Sequence, residues 1–302
     1  MENAAAPDRL TLDYPDAELV FGIVCAVGTD YRRVVDYLSN LLKRAKYVPK
    51  EFHVSESFPE IAPRLGLDLE FPDNSQYAHI DSRIKAGNAI RRKTEENGFL
   101  ALDIISRIYS TREGAETDNP AALPHVAHII VSLKRKEEVD VLRKIYGPGF
   151  FLIGIFASEQ ERRDYLETEK GIRGEPLAEL IERDQQETDE EFGQRTSKTF
   201  EHADVFVALK ADQYKKGLER FLRLVFGYPY ATPRKDEHGM FLAYAASARS
   251  GALARQVGAA ILSADGDLLA VGCNDVPRPG GGLYWDDDGD HDHRDWAVGG
   301  DA

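Results

Sequence analysis

Four short runs of β-forming apolar residues, each followed by a polar stretch with helical spacing, constrain this chain more than any other feature. The runs are Glu18–Val27, His125–Leu133, Phe150–Phe156 and Asp204–Leu209. Each reads as a strand buried on both faces of a mainly parallel sheet. After the first run, Val34, Val35, Leu38, Leu41, Leu42 and Ala45 recur at helical spacing, which predicts a helix packed by one face on the sheet and ended by Pro49. Ile84–Tyr109, Lys136–Tyr146, Glu159–Lys170 and Glu175–Phe200 are the further helical segments. This alternation implies right-handed crossovers and a doubly wound α/β domain over residues 17–227, behind a tail at 1–16.

The segment GYPYATPRKD, Gly227–Asp236, has turn-favouring residues and no periodicity, so 228–236 reads as a linker. A new unit follows over 237–302. Met240, Phe241, Tyr244, Ala245 and Ala248 line one side of a helix, and Val257–Ser263 and Leu268–Asn274 flank a hairpin turn at Ala264–Asp267. A helix and a hairpin bury too little to stand as a full core, so this part is expected to be mobile or self-associating. The biased segments are Gln185–Glu191 and the acidic end.

With 302 residues, 42% hydrophobic and 30% charged, the chain suits a soluble protein of about two domains. The longest apolar stretch, Leu19–Val27, falls short of the roughly 20 residues a membrane span needs. The opening MENAAAPDRL has no basic leader before an apolar core, so a cytoplasmic location and no membrane partner are expected. The net charge of −14 disfavours a long nucleic-acid groove. It leaves a small anionic ligand open, because a few backbone amides and two or three arginines suffice for one nucleotide. The two cysteines, Cys25 and Cys273, fall in different domains and read as small buried residues.

The first strand leads into GIVCAVGTDYRR, Gly22–Arg33, at the position of a phosphate-binding loop in a nucleotide-binding fold. Gly22, Ala26 and Gly28 match the small residues of such a loop. Tyr31 stands where the phosphate lysine belongs, and Arg32 where the magnesium-binding Ser or Thr belongs. Phosphoryl transfer is therefore not expected. The amides of Gly28, Thr29 and Asp30 can still hold a nucleotide phosphate at the helix N-terminus, with charge from Arg32 or Arg33. A glycine turn with no ligand is the alternative.

Residues 237–285 carry a denser pattern. Arg249-Ser250, RQVGAAI at Arg255–Ile261, GCNDVP at Gly272–Pro277 and GGGLYW at Gly280–Trp285 occur in the order of the cytidine and deoxycytidylate deaminase fold, and the segment resembles its opening. LKRKEEVDVLRKIYGPGFFLIGIFAS, Leu133–Ser158, and GQRTSKTFEHADVFVAL, Gly193–Leu209, extend the resemblance to the anti-phage deoxycytidine-nucleotide deaminases, which join a degenerate P-loop kinase-like domain to a three-layer α/β/α deaminase. The resemblance implies an antiviral defence enzyme that converts dCMP or dCTP to dUMP or dUTP by zinc-dependent hydrolysis, with a kinase-like part that senses or regulates. It matches Asn274 to the residue that bonds the substrate sugar, and Arg249, Ser250 and Arg255 to a turn near its phosphate. Asn274 as a strand-turn cap and solvated arginines remain the alternatives. A homo-oligomer and an RNA or protein inhibitor are further implied partners.

The zinc signature of that family, H-x-E followed by P-C-x-x-C, does not occur in residues 1–302. In the family it comes after the loop containing Trp285, while this sequence runs to GGDA at 299–302. The expectation is therefore no catalytic residue and no metal ligand within these residues, and no deamination by them alone. A truncated gene product, a disrupted gene and a split protein remain equally open. Asp286–Asp295, with six aspartates and two histidines, lacks the ligand spacing of a calcium loop and is expected to be a solvated charged loop.

Overall fold

The computed structural model describes residues 17–112, 121–186 and 192–294. The expected tail at 1–16, most of the biased stretch Gln185–Glu191 and the terminal GGDA lie outside the described residues. The chain divides after Tyr228 into two compact units.

In the first unit the order is β1 (Leu19–Cys25), α1 (Tyr31–Arg44), β2 (Val48–His53), α2 (Phe58–Arg64), α3 (Gln76–Thr94), α4 (Phe99–Tyr109), β3 (Val126–Val131), α5 (Lys136–Tyr146), β4 (Phe150–Phe156), α6 (Glu159–Thr168), α7 (Glu175–Gln186), α8 (Thr196–Phe200), β5 (Val205–Ala208) and α9 (Gln213–Val225). Helix α1 buries the expected Val34, Val35, Leu38, Leu41 and Leu42. It stops at Arg44, with Lys46 in the left-handed region at φ 63°, rather than at Pro49. Pro49 lies instead in β2, a strand that the apolar-run pattern does not announce. As a sheet-edge strand β2 tolerates the missing N–H. The single helix expected over Ile84–Tyr109 is two, α3 and α4, parted where Glu95 takes φ 54°. The expected helix at Glu175–Phe200 is likewise α7 and the short α8.

All five strands are parallel, in the order β2-β3-β1-β4-β5. Side chains alternate along β1: Phe21 and Ile23 face a core built with α1 and α9, while Val20 and Val24 face a core built with α2 to α5. The chain thus leaves β1 towards one face of the sheet and β3 towards the other. Between these two strands, at their carboxyl ends, the connections diverge and a crevice opens.

The second unit is α10 (Lys235–Ser247) on an antiparallel hairpin of β6 (Gly258–Leu262) and β7 (Leu268–Cys273), with the turn where the sequence signals it. Among the described residues, 237–302 has one α-helix on a two-stranded sheet and not the three-layer arrangement expected of it. The helix contacts the hairpin through small residues. A methyl group placed on Gly258 overlaps the backbone at Ala243 and Ser247, and one on Gly239 comes within 2.9 Å of Leu262. The apolar side chosen by periodicity points outward instead: Met240, Phe241 and Tyr244 are 70%, 65% and 77% exposed. Close backbone approach at Gly258 selects the small face, and the large residues are left uncovered. Among the described residues, no helix is long and apolar enough to cross a membrane.

Two predictions follow from this packing. Gly258→Ala should cost roughly 1–3 kcal/mol or more, because the clash is with helix backbone rather than a flexible side-chain tip; faster hydrogen exchange in β6 and β7 is the readout. At the other end of the first unit, Glu18 lies 2.6 Å from His128 Nε2 and 2.8 Å from Arg112. Burial raises the Glu18 pKa, but the His128 hydrogen bond and the Arg112 charge outweigh it and hold the carboxyl below its ordinary value of 4.5. A lowered folded pKa gives stability that is present above the unfolded value and lost as pH falls through the folded one. Glu18→Gln should therefore lower the melting temperature at neutral pH and flatten its decline below about pH 4.5.

Candidate functional site

The crevice at the carboxyl ends of β1, β2 and β3 is a cavity of about 270 Å³. That is near the lower end of the roughly 300–1,000 Å³ common for small-ligand pockets. Residues 26–29 form one wall, α3 and α6 supply others, and Ser132 and Lys134 enter from β3. Among the described residues its lining contains Arg83, Arg91, Lys134 and Lys170 and no Asp or Glu. In a chain with 52 acidic and 38 basic residues, a cationic cavity without carboxylates is a local reversal of charge. Burial pushes the phenols of Tyr31 and Tyr165, also in the lining, above the ordinary tyrosine value, so neither adds negative charge.

The loop after β1 is pinned from several sides. Gly28 takes φ +83°, and a methyl there would meet Arg162 O at 3.0 Å and Leu166 at 2.9 Å. Arg162 Nη1 donates to Val27 O at 3.0 Å, and Thr29 N donates to Ala26 O at 3.2 Å. The amides of Val27, Gly28 and Asp30 donate to no backbone carbonyl among the described residues. The Thr29 side chain is 3% exposed and its hydroxyl has no hydrogen-bond partner. An unmet buried hydroxyl costs about 1–3 kcal/mol, so this one needs an explanation.

Lys134 faces the same loop. Its Nζ donates to Cys25 O at 2.6 Å, and it forms no ion pair among the described residues. Its backbone is fixed at both polar groups: Lys134 N donates to Glu138 at 2.8 Å, and Lys134 O accepts from Arg195 N at 3.0 Å. Two residues earlier Ser132 holds φ 75°, a left-handed conformation uncommon outside glycine. Arg91 differs from Lys134 because its charge is answered by Glu138 at 2.6 Å, with both side chains buried.

The structure disperses the loop residues that the sequence nominates. Gly28 and Thr29 line the cavity; Gly22, Asp30 and Arg32 do not. Gly22 lies within β1, where a methyl group would sit 2.6 Å from Leu133 Cδ1 and 3.0 Å from Phe150. Asp30 occupies the N-cap of α1 without its side chain capping the helix. Arg32 is held by both oxygens of Glu51, at 2.9 and 2.8 Å, and Arg33 pairs with Asp212. Sequence reasoning missed Lys134, although the cue was a basic cluster directly after a buried strand.

In the second unit Ser250 and Asn274 meet. Asn274 Oδ1 accepts from Val257 N at 2.7 Å and Ser250 Oγ at 2.9 Å, and its Nδ2 donates to Arg255 O at 2.8 Å. The amide thus latches the start of β6 to the end of β7, with one N–H left over. The Arg249 guanidinium stacks on Trp285 at 3.4 Å. The Arg255 side chain is exposed. Among the described residues no group of three or more His, Cys, Asp or Glu is placed to hold a metal, so the zinc implied by resemblance does not fit the residues present. Nor is the acidic stretch wholly solvated, as expected: Asp288 pairs with Arg278, and the buried Asp292 with Arg294 at 2.6 Å.

No protein-family model matches the chain, and no curated protein does. Among solved structures it is similar to a shikimate kinase from Acinetobacter baumannii in complex with shikimate, at 9% identity and a TM-score of 0.41 over 71% of this chain and 97% of that one. It is also similar to a gluconokinase from Sinorhizobium meliloti 1021, at 14% identity and a TM-score of 0.34 over 71% and 98% of the two chains. A structure described as APE1195 matches at 14% identity and a TM-score of 0.40, over 70% and 97%. Likenesses of this strength add nothing to the strand order already described.

If Gly22 serves packing, Gly22→Ala should destabilise the protein by roughly 1–3 kcal/mol through overpacking. Ligand affinity of the folded fraction should stay unchanged. A selective loss of affinity with unaltered stability would return Gly22 to the binding loop.

Proposed function

We propose that the first unit is a nucleotide-binding module that does not transfer phosphate, joined to the opening segment of a deoxycytidine-nucleotide deaminase of the anti-phage type. The binding reading rests on one observation: a cationic cavity at the diverging ends of β1 and β3, with no carboxylate in its lining among the described residues, in an otherwise acidic chain. Phosphate esters are the metabolite class that such a cavity favours, and the crevice at diverging connections is where open α/β sheets bind ligands. Transfer chemistry lacks support, since no lysine stands in the loop and no carboxylate in the cavity is available to position a divalent ion.

The deaminase part of the proposal rests on the ordered motifs in 237–285, and the uncovered apolar side of α10 agrees with a segment of a larger core. In the complete protein dCMP or dCTP would be hydrolysed to the deoxyuridine nucleotide, with the zinc ligands supplied from outside residues 1–302. Within the second unit, Ser250, Asn274, Arg249 and Arg255 remain the substrate-side candidates. Deoxycytidine nucleotides are the proposed ligands of the first unit also.

Thermal unfolding of residues 1–302 with dCMP, dCTP or ATP tests the binding reading. A nucleotide at about 100 times its Kd should add about 2.7 kcal/mol of stability. No shift with any of the three overturns it. The same material should release no ammonia from dCMP or dCTP; release accompanied by stoichiometric zinc would overturn the division of labour.

A further inference from the structure

Three features of the cavity lining are not explained by folding. The Lys134 ammonium lies against the start of the 26–30 loop, where among the described residues it is held by Cys25 O. The Thr29 hydroxyl is buried in the cavity wall without a partner. The Val27 and Gly28 amides, beside it, donate to no backbone carbonyl. An ammonium, a hydroxyl and backbone amides in one cavity lining, next to the start of a 14-residue helix, are groups that suit a tetrahedral anion.

Building on the nucleotide-binding reading, we propose that Lys134 is the phosphate-binding cation of this site, delivered from the end of β3 instead of from the loop, and that it binds a phosphate monoester without a divalent ion. The electrostatic case is a comparison of basic residues. Arg32, Arg33 and Arg91 are each paired with a carboxylate, so a phosphate would have to compete with Glu51, Asp212 or Glu138. Among the described residues, Lys134 has only a neutral carbonyl to give up. Its position is also preset, since Glu138, Arg195 and the left-handed Ser132 fix the backbone on both sides of it. The cation therefore loses little freedom on binding.

The remainder of the cavity specifies what the phosphate is attached to. Phe58, Ile80, Ile84 and Leu100 line it as an apolar patch, which suits a flat ring better than a second phosphate. Protein sites for a divalent ion usually supply at least one carboxylate, and among the described residues the lining has none from Asp or Glu. One phosphate and one ring, as in a nucleoside monophosphate, fit both ends.

Calorimetry on the full chain tests this with inorganic phosphate, dCMP and deoxycytidine, each in EDTA and in magnesium. Wild type should bind dCMP more tightly than phosphate, and each of them with the same affinity in EDTA as in magnesium. Lys134→Met should weaken both by roughly tenfold or more, the scale of one charge-assisted hydrogen bond, while Arg32→Ala should leave them within about twofold. Thr29→Val gives a second, independent reading because it removes no protein hydrogen bond. It should weaken phosphate binding by a smaller factor while leaving the ligand-free melting temperature equal or higher. Unaltered affinity in Lys134→Met, a requirement for magnesium, or loss of binding in Arg32→Ala would each overturn the assignment. Phosphate binding that depends on Lys134 with no added affinity for dCMP would support the Lys134 site and refute the nucleotide reading. No binding of either phosphate-bearing probe by wild type would refute both.

Discussion

Strand β1 is buried at every position and hydrogen-bonded on both edges, to β3 and β4, and the geometry of the cavity depends on that. Its alternate side chains belong to two different cores, so a slip of one residue would exchange both sets at once. Register fixed in this way fixes where Cys25 ends the strand and where residues 26–30 begin. Gly22 then couples β1 to the segment after β3, because Leu133 occupies the space a side chain would need. Leu133 immediately precedes Lys134. The interlock that holds the sheet centre together is therefore also what brings the ammonium to Cys25 O.

Charge in the first unit is sorted by the same connections. Glu138 accepts from the Lys134 and Arg135 amides and from Arg91, so the N-terminus of α5 already has its anion. The start of α1 has no equivalent carboxylate in its first turn. A buried pair such as Arg91–Glu138 is weak evidence of stability, yet removing one partner is costly, which makes Arg91 a structural cation. Among the described residues, the cations in the cavity without a carboxylate partner are then Lys134 and Lys170, the latter over the Tyr165 ring. An anion entering there meets attraction that the fold has not already used.

How much of this could be seen in the sequence follows from what each element has to bury. β1, β3 and β4 were legible, since strands covered on both faces have to be apolar almost throughout, and β5 was legible by its apolar run although it is an edge strand with Phe206 exposed. β2 was not: at the sheet edge Pro49, Lys50, Glu51 and His53 are all admissible, and no apolar run results. The break between α3 and α4 rests on Glu95 in a left-handed conformation and on Asn97-Gly98 ahead of α4, a turn signal that the helical periodicity on either side masks. The loop after β1 was recognisable by position, and Gly28 and Thr29 do line the cavity. The side chains that answer it were not, because pairing of Arg32 with Glu51 and approach of Lys134 to Cys25 join residues far apart in sequence. Motif reasoning searches a loop for its own cation and overlooks one supplied by the next strand in space.

Glycine resolves a similar packing problem in the second unit, with a different consequence. At Gly22 the missing side chain admits a neighbour's leucine; at Gly258 it admits a helix backbone. A helix seated that closely has to use its small residues, Gly239, Ala243 and Ser247, on the hairpin. Its Met240, Phe241 and Tyr244 then face away, and so do Ile261 and Val271 of the strands. Periodicity alone predicts a helix with one apolar side, but the side that packs is decided by how near the backbone can come. The Asn274 latch acts in the same sense, for it closes the open end of the hairpin with hydrogen bonds internal to the unit. The geometry of the segment is thus set by its own small residues, Leu262 over Gly239 and one amide, while Met240, Phe241, Tyr244, Ile261 and Val271 stay exposed and available for burial against further structure.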